Sequence, residues 1–423
     1  MKRRTLLTGG AAAASLAATP LRAQSPTEIT VLYSTPDLFK TLHEQIAAAF
    51  MKANPQYKIT FLAPQPAYEE VAQATLRAAV TNTLPDVVYH GLNRQRVFYD
   101  RGLAQPLDAL IAADPDFKSY GHAPGLLDIG RFGGKQFGIG FSLSTPIIYY
   151  NTDLVTKAGG DASALPATWD GIFELARKVK ALGGPTQGYH FDWDITGNWM
   201  WQALVFSNGG TMLTADEKKV AFDGPAGKTA IETLGRMVTE GTMRDVGQNV
   251  SLQDFTSGTM GIWGHSTSRL GGVSKQVGDK FKLRTAAFPI QPDGRLPLGG
   301  NVAMLFTKDP ARQKAAWEYI KFATGPVGAT MMVQATGYFP SALAATEDPN
   351  LLKPYYDKNP NHLVAIRQLP KSTGWYAFPG DNGIKITDVI KDHLQSVVSQ
   401  KAKPDVVLPQ MSKDVQALLP SPS

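Results

Sequence analysis

The stretch ITVLYSTPDLFKTLHEQIAAAFMKANP, residues 29–55, decides the fold class. Its first five residues are a short apolar run of β-branched and aromatic side chains, which is typical of a buried strand. Apolar residues then recur every four positions, as on one face of a helix: Leu38, Leu42, Ile46 and Phe50. Asn54-Pro55 ends that helix. A buried strand followed by an amphipathic helix is the repeating unit of α/β proteins.

The same alternation continues along the chain. Further strands are predicted at Tyr57–Leu62, Pro85–Tyr89 and Ile147–Tyr150. Further helices are predicted over Tyr68–Val80, after a Thr168 cap, and after Asp309-Pro310. Because so long a chain exceeds what one core usually serves, we predict two lobes. No repeat or long linker separates them, so the chain is expected to cross between the lobes more than once.

The first 23 residues are predicted to be an export signal. Lys2-Arg3-Arg4 is a basic cluster, an uncharged stretch follows over Thr5–Pro20, and Leu21-Arg22-Ala23 offers small residues before a cut. The paired arginines followed by two leucines are typical of the twin-arginine route. The apolar stretch is short and rich in alanine, which disfavours a retained membrane anchor. We therefore expect release into the periplasm, without a lipid anchor because the chain has no cysteine.

Composition narrows the function further. The chain has 42 Lys and Arg against 36 Asp and Glu, and removal of residues 1–23 takes away four basic residues, leaving 42 − 4 = 38 against 36. No dense basic patch remains, so we expect no nucleic-acid partner. The absence of cysteine excludes disulfides and thiolate metal sites. The seven histidines lie in no HExxH or HxH spacing, so we predict no metal and no cofactor.

Two patterns leave a catalytic alternative open. Asp192 and Asp194 flank a tryptophan, which suits a carboxylate pair, a calcium or sugar site in a loop, or a solvated acidic turn. Gly264-His265-Ser266-Thr267-Ser268 is similar to a nucleophile elbow, but Ser268 stands where the tight turn needs glycine. The alternative hypothesis is therefore a periplasmic hydrolase that uses Ser266 or the Asp192/Asp194 pair. Gly133-Gly134 is interpreted as a hairpin turn.

Aromatic residues with glycine and polar neighbours indicate a binding cleft. Such residues occur in several segments, at Trp193, Trp199, Trp201, Trp263, Tyr338 and Trp375-Tyr376. Flat rings stack on the C–H faces of sugars, while neighbouring hydroxyl and amide groups bind their oxygens. The pattern favours a carbohydrate-like ligand.

Six motifs, in this order and spacing, carry a family resemblance: Leu84–Val88, Gly102–Leu107, Ser144–Asn151, Pro166–Asp170, Phe255–Met260 and Thr336–Pro340. Over nearly the whole chain after the signal, the sequence resembles the extracellular solute-binding proteins of carbohydrate-type ABC importers (family 1). Within that family it is most similar to the branch that binds glycerol 3-phosphate and glycerophosphodiesters. The closest similarities are Ser144–Asn151, Leu298-Gly299-Gly300 and Thr336–Pro340.

The resemblance implies an α/β periplasmic-binding-protein fold with two discontinuous lobes and a hinge cleft. The expected lobes are 27–141 with 301–350, and 142–300 with 351–423. It also implies a monomer without catalytic activity, which delivers a ligand to an inner-membrane permease and its ATPase. The ligand classes left open are a sugar, a polyol, and a glycerol-based (phospho)diester or glycoside.

The resemblance also implies a set of ligand-binding residues, carried over position by position: Tyr68, Ser144, Trp193, Ser266, Gly300 and Tyr338. A side chain at Gly300 is expected to block the ligand without preventing folding. Two positions depart from the family pattern. His90 stands where an acidic residue is expected, and Asp381 lies where a phosphate-binding arginine is expected, so both are predicted to shape the site. This favours a neutral ligand, unless Arg94, Arg269 or Lys371 supplies the missing charge.

Overall fold

The structure is a computed structural model that describes residues 25–420, so the predicted export signal lies outside the described residues. Strands and helices alternate along the chain. The strands are β1 Thr27–Leu32, β2 Tyr57–Phe61, β3 Val87–Gly91, β4 Arg131–Phe132, β5 Lys135–Gln136, β6 Gly138–Ser144, β7 Pro146–Asn151, β8 Gln187–Phe191, β9 Met260–Ser266, β10 Leu283–Ala287, β11 Leu296–Pro297, β12 Gly299–Leu305 and β13 Ser372–Thr373.

The helices pack on both faces of the sheets. They are α1 Pro36–Ala53, α2 Tyr68–Val80, α3 Arg96–Asp100, α4 Asp108–Ala112, α5 Pro124–Leu127, α6 Thr152–Lys157, α7 Trp169–Lys180, α8 Trp199–Ser207, α9 Pro225–Thr239, α10 Gln248–Thr256, α11 Leu270–Val277, α12 Pro310–Thr324, α13 Pro326–Ala335, α14 Ala344–Glu347, α15 Lys353–Lys358, α16 Leu363–Gln368, α17 Gly383–Val398 and α18 Pro404–Gln416. This is the predicted α/β class.

The first sheet has five strands in the order β2-β1-β3-β12-β6. β1 pairs in parallel with β2 and β3, whereas β12 runs antiparallel to both β3 and β6. β3, β6 and β12 are buried at every position, as expected for strands covered by helices on both faces. Because β12 comes from residues 299–305, a late segment of the chain completes a sheet begun by the first 144 residues.

The second sheet has the order β10-β7-β9-β8. β7 begins two residues after β6 ends, so the chain passes from the first sheet to the second at Thr145. Two hydrogen bonds join Thr145 to Thr267 there: the Thr145 N–H donates to Thr267 Oγ1 at 3.2 Å, and the Thr267 N–H donates to the Thr145 carbonyl at 3.0 Å. The Thr145 hydroxyl also accepts from Gln368 Nε2 at 2.9 Å. The chain returns to the first sheet at Leu298, between β11 and β12.

Local sequence signals explain where the helices begin. The Thr168 hydroxyl accepts a hydrogen bond from the Gly171 N–H at 3.3 Å, which caps α7 as predicted. Asp309 caps α12 by accepting from the Arg312 N–H at 2.9 Å, and Pro310 is the first helical residue. The predicted hairpin at Gly133-Gly134 joins β4 to β5, with both glycines at positive φ.

The side chains of β1 divide between two cores. Val31 belongs to a cluster that also contains Leu42 of α1 and Ile320 of α12, on one face of the first sheet. Leu32 belongs to a larger cluster that reaches the second sheet. Trp199 lies in this larger cluster, in the helix α8, which is buried along its whole length because it is apolar on every face.

Two negative findings apply to residues 25–420. No helix in this range is long and apolar enough to cross a membrane. Within the same range, no three His, Asp or Glu side chains are grouped in a way that could hold a metal ion. The boundaries predicted for the two lobes remain a prediction.

The expectation that Gly300 tolerates a side chain without harm to folding is wrong. Gly300 has φ +104°, which side chains rarely adopt, and a Cβ atom there would lie 1.9 Å from the Ser142 carbonyl oxygen. The β12–β6 register shifts just after this point, between Asn301 and Val302, as in a β-bulge. Gly300 is therefore needed by the backbone of the first sheet, whatever its role toward a ligand.

We predict that Gly300→Ala lowers the free energy of unfolding by about 2–4 kcal/mol, because the new methyl group would meet the backbone of β6 at a strained φ. Chemical denaturation measures this. The matched control is Gly272→Ala, since a Cβ on exposed Gly272 of α11 would touch nothing within 4 Å. That variant should change stability by no more than about 1 kcal/mol, in the stabilising direction. Equal stability of both variants would contradict the conclusion that the backbone at Gly300 excludes a side chain.

Candidate ligand-binding site between the two sheets

A hydroxyl-rich cluster lies beside the first sheet, where the structure brings Tyr68 and Tyr338 together. Tyr68 begins α2, and its hydroxyl accepts a hydrogen bond from the Asn301 side-chain amide at 3.3 Å. Burial raises the pKa of Tyr338, while the neighbouring Tyr68 hydroxyl, the charge of Arg269 and the Ser268 side chain act to lower it. Burial also raises the pKa of Tyr68 well above its usual value. Both phenols therefore stay protonated and can donate or accept hydrogen bonds.

A buried ion pair lies next to this cluster. Arg94 Nη2 donates to Glu69 Oε1 at 2.7 Å, and the two side chains are only 8% and 18% exposed. Burial raises the pKa of Glu69, but the charge and hydrogen bond of Arg94, with a further bond from Thr196, outweigh burial and lower it. Glu69 is therefore ionised and neutralises Arg94. Thr196 follows β8 of the second sheet, so its influence on the pKa of Glu69 comes from the other side of the cleft.

The two other cations considered as phosphate ligands are also engaged. Arg269 lies 3.7 Å from the carboxylate of Asp37, with 37% of its side chain exposed. The Lys371 ammonium donates to the Pro292 carbonyl. Of the three cations proposed from the sequence, Arg94 is thus neutralised by a buried carboxylate, Arg269 is paired with an exposed one, and Lys371 is bonded, among the described residues, only to a carbonyl.

An aromatic wall closes the cleft from the side of the second sheet. The ring of Trp375 lies edge-on to Tyr68, with centroids 6.4 Å apart, and 6.1 Å from the ring of Trp199. Its indole N–H donates to the Gly197 carbonyl at 3.3 Å. Gly197 has φ +62°, and a Cβ there would lie 2.4 Å from Asn93 Nδ2. The missing side chain lets the two sides of the cleft approach each other.

Several buried polar atoms around this cleft have no hydrogen-bond partner within the described range: Asn93 Oδ1, Arg94 Nε, Trp199 Nε1 and Asn301 Oδ1. Buried polar groups are normally paired, so a cluster of unpaired donors and acceptors indicates a place for a polar ligand. Sequence reasoning did not single out Asn93, Asn301 or Glu69. Two of these residues could have been noticed from their positions in the sequence. Asn93 lies just after the end of β3, and Asn301 directly follows Gly299-Gly300.

The structure places Ser144 beside the aromatic wall. Ser144 ends β6 and is 2% exposed. A Cβ on Gly299 would lie 2.7 Å from the Ser144 hydroxyl oxygen and 2.9 Å from the Trp199 ring, so the bare backbone of Gly299 separates the two. Ser144 and Gly300 thus lie at the crossing segments, near Trp199. Their contact with a ligand remains a prediction.

A cavity of about 900 Å³ opens on the other side of Trp375. Its walls come from both parts of the chain, since Leu92 and Leu126 face Phe206 and Met212. Sites that bury most of a small ligand typically measure about 300–1,000 Å³. Trp375 lines this cavity and also contacts Tyr68, so the cavity adjoins the hydroxyl cluster.

The positions of His90 and Asp381 do not support the roles predicted for them. His90 is fully buried, its ring stacks on Phe98 with centroids 4.0 Å apart, and Phe306 lies on another side. It belongs to the packing behind β3 rather than to the cleft surface. The Asp381 side chain is 86% exposed and pairs with Arg101 at 2.6 Å. Asp381 therefore lies in a solvated turn after Pro379-Gly380.

The carboxylate of Asp192 is a buried structural centre. It accepts from the Ser251 hydroxyl at 2.8 Å and from the Trp263 indole N–H at 2.9 Å. His190 Nε2 and His265 Nε2 approach it at 3.0 and 3.3 Å. Four partners from three elements thus tie β8, β9 and α10 together. These contacts engage both carboxylate oxygens of Asp192, which is 0% exposed. Asp192 therefore has no role as a catalytic carboxylate.

The arrangement around Ser266 does not form a nucleophile–base pair either. Its hydroxyl accepts from the Ser268 N–H at 3.1 Å and so caps a short turn. His265 Nδ1 accepts from the backbone N–H of Ser266, not from its hydroxyl. Trp193 is 5% exposed and belongs to the larger core cluster. Ligand contacts by Ser266 and Trp193 remain predictions.

Comparison with known proteins identifies the family of this chain. The family of bacterial extracellular solute-binding proteins matches residues 45–362, about three quarters of the chain. The chain belongs to this family. Its members are binding proteins, which confirms the prediction of an exported, non-enzymatic solute-binding component of an ABC importer. The hydrolase alternative has no support.

Two curated relatives are sn-glycerol-3-phosphate-binding periplasmic proteins UgpB. The one from Agrobacterium fabrum is 28% identical over 56% of this chain and about half, 55%, of its own length. The one from Salmonella typhimurium is 25% identical over 86% of both chains. These relatives confirm the predicted resemblance to the glycerol 3-phosphate branch.

Solved structures confirm the two-lobe periplasmic-binding-protein fold. UgpB from Mycobacterium tuberculosis, in complex with glycerophosphocholine, has a TM-score of 0.81 and 21% identity and covers 93% of this chain and 98% of its own. Maltose-bound MalE3 from T. maritima has a TM-score of 0.78 and 18% identity, and covers 93% of this chain and 100% of its own. At this identity the likeness concerns the fold alone.

We predict that His90→Phe makes stability less dependent on pH. Burial lowers the pKa of His90 from 6.5 to about 3. Between pH 3 and pH 6.5, His90 binds a proton in the unfolded chain but not in the folded protein. His90 therefore lowers the free energy of unfolding as the pH falls below 6.5. The variant should reduce the slope of unfolding free energy against pH by about 1.4 kcal/mol per pH unit between pH 6 and 4.5. Chemical denaturation at several pH values measures the slope, and a slope equal to that of the unaltered protein would contradict complete burial.

Proposed function

We infer that the protein binds a neutral carbohydrate-like ligand, namely a sugar, polyol or glycoside, in the cleft between Tyr68 and Trp375. The supporting observation is the charge balance of that cleft. Arg94 is already neutralised by Glu69, while unpaired polar atoms of Asn93 and Asn301 remain to bind hydroxyl groups. Neutral hydroxyls match such donors and acceptors without adding charge.

A phosphate ligand would meet a less favourable environment. Phosphate recognition usually relies on an arginine fork with its donors directed at the phosphate oxygens. Here Arg94 is bonded to Glu69, and the ionised carboxylate would lie close to the incoming anion. Removal of a buried charge from its partner is costly, so a phosphate cannot simply displace Glu69. The ligand class proposed here therefore differs from the one that the names of the UgpB relatives give.

We assign the transport role to a hinge closure between the two predicted lobes. Among the ion pairs that span those lobes, Arg96 pairs with Glu217 at 2.6 Å, and Arg101 pairs with Asp381 at 2.6 Å. The Tyr376 hydroxyl, from the same lobe as Glu217, supports the first pair by donating to the same Glu217 oxygen at 2.9 Å. Such pairs can hold a closed form around the ligand. A periplasmic monomer in this form would deliver the ligand to the permease and ATPase of the inner membrane.

We predict that neutral sugars or glycosides stabilise the protein and that glycerol 3-phosphate does not. A ligand present at 100 times its Kd should raise the free energy of unfolding by about 2.7 kcal/mol. A thermal-shift screen with sugars, polyols, methyl glycosides and glycerol 3-phosphate, followed by titration calorimetry, measures this. Micromolar binding of glycerol 3-phosphate with no response to any neutral compound would overturn the proposed ligand class.

We predict that Glu69→Gln increases the affinity for glycerol 3-phosphate at least tenfold, because it releases the Arg94 guanidinium and removes a nearby negative charge. Titration calorimetry of the variant and the unaltered protein measures the change. Glu44→Gln is the matched control, since it removes the same charge from an exposed helix position that pairs with Lys40. Equal gains in both variants would reflect net charge alone and would count against a specific role for Glu69.

A further inference from the structure

The cavity beyond Trp375 is an extension of the proposed ligand site rather than a separate pocket. One side of the Trp375 ring faces Tyr68 and Trp199 of the cleft, and the same residue lines the cavity. A group attached to a ligand beside Tyr68 would reach the cavity by way of Trp375, which borders both. Its volume, about 900 Å³, exceeds what a single small substituent needs.

The inner walls of this cavity are apolar. Leu92, Leu126, Phe206, Met212 and Leu298 line it, and each of these side chains is less than a tenth exposed. They come from both sides of the cleft, so the cavity is complete only when the two sides meet. Apolar walls favour apolar groups, which gain free energy when they leave water.

Six charged residues also line the cavity, and four of them form two ion pairs: Arg96, Asp128, Arg131, Glu217, Asp293 and Arg295. Arg96 pairs with Glu217 at 2.6 Å, and Arg131 pairs with Asp128 at 3.3 Å. Hydroxyl groups of Thr211, Thr214, Ser372 and Thr373 line the cavity as well, but the five apolar side chains named above offer none, and each unpaired buried hydroxyl costs free energy. The apolar inner walls therefore favour an apolar group over a further sugar ring.

We propose that the cavity holds an apolar substituent of the ligand, so that the protein takes amphipathic glycosides. The polar head binds beside Tyr68 and Asn301, and an alkyl or aryl group passes Trp375 into the cavity. This inference rests on the proposed binding of a neutral carbohydrate-like head. It adds the class of the substituent, which neither the family nor its relatives indicate.

The test compares methyl and octyl glycosides of the same sugars, glucose, galactose and mannose, by titration calorimetry below the concentration at which micelles form. For at least one sugar, the octyl glycoside should bind at least tenfold more tightly than the methyl glycoside, because burial of only a few methylene groups produces that factor. The complete exported chain is used, since both sides of the cleft build the cavity.

A cavity-filling variant separates specific binding from general hydrophobic adsorption. Ala123 lines the cavity and is only partly buried, so Ala123→Trp fills space without removal of core contacts. It should abolish the advantage of the octyl chain while affinity for the methyl glycoside stays within about twofold. The control is Ala53→Trp, at the exposed end of α1 and outside the cavity lining, which should leave the octyl advantage intact.

The outcomes are distinguishable. Equal affinity for methyl and octyl glycosides would overturn this inference and leave the proposed function standing. Tighter binding of a trisaccharide than of every octyl glycoside would assign the cavity to sugar rings and also overturn it. An octyl advantage that survives Ala123→Trp would place the alkyl group elsewhere. Failure of every neutral compound would overturn the proposed function together with this inference.

Discussion

The structure depends on two crossings of the chain that lie side by side. β6 leads into β7 through Thr145, and β11 leads into β12 through Leu298, while Gly299 of β12 is paired with Ser144 of β6. Both crossings therefore share one hydrogen-bonded line between the sheets. The close backbone contact at Gly300 is part of this line, which explains why no side chain fits there. We propose that a ligand bound between the sheets contacts this line, because Ser144 and Gly299 lie on it beside Trp199.

The charge balance of the cleft follows from packing that brings two distant segments together. Glu69 at the start of α2 meets Arg94 just after β3, because α2 packs over the end of that strand. The pair is almost fully buried, so its attraction is screened far less than at the surface. On the proposed function, a cleft that neutralises its own cation in this way would discriminate against anions and leave hydroxyl recognition to its amides and phenols. The apolar cavity beyond Trp375 would then supply a second, independent criterion for the ligand.

Some site residues were recognisable from the sequence and others were not. Tyr338 lies in a motif that resembles the family and Tyr68 matches a family position near the start of α2, and the structure brings the two together around Asn301, which no motif marks. His90 and Asp381 occupy positions where the family has functional residues, but the structure places one in the packing behind β3 and the other in solvent. A position in a motif specifies a place along the chain, whereas burial and orientation depend on the neighbours that fold against it.

The sequence by itself determined the α/β class, the starts of α7 and α12 and the family, because periodicity, caps and motifs are local properties of the chain. Tertiary structure decided which residues share the cleft. The Tyr68–Asn301 hydrogen bond joins residues 233 positions apart, and the Arg101–Asp381 bond joins residues 280 apart. Such contacts form only when β12 and the C-terminal segments pack against segments from much earlier in the sequence. No local pattern encodes these distances, so the charge balance of the cleft and the cavity beyond it could be read only from the folded chain.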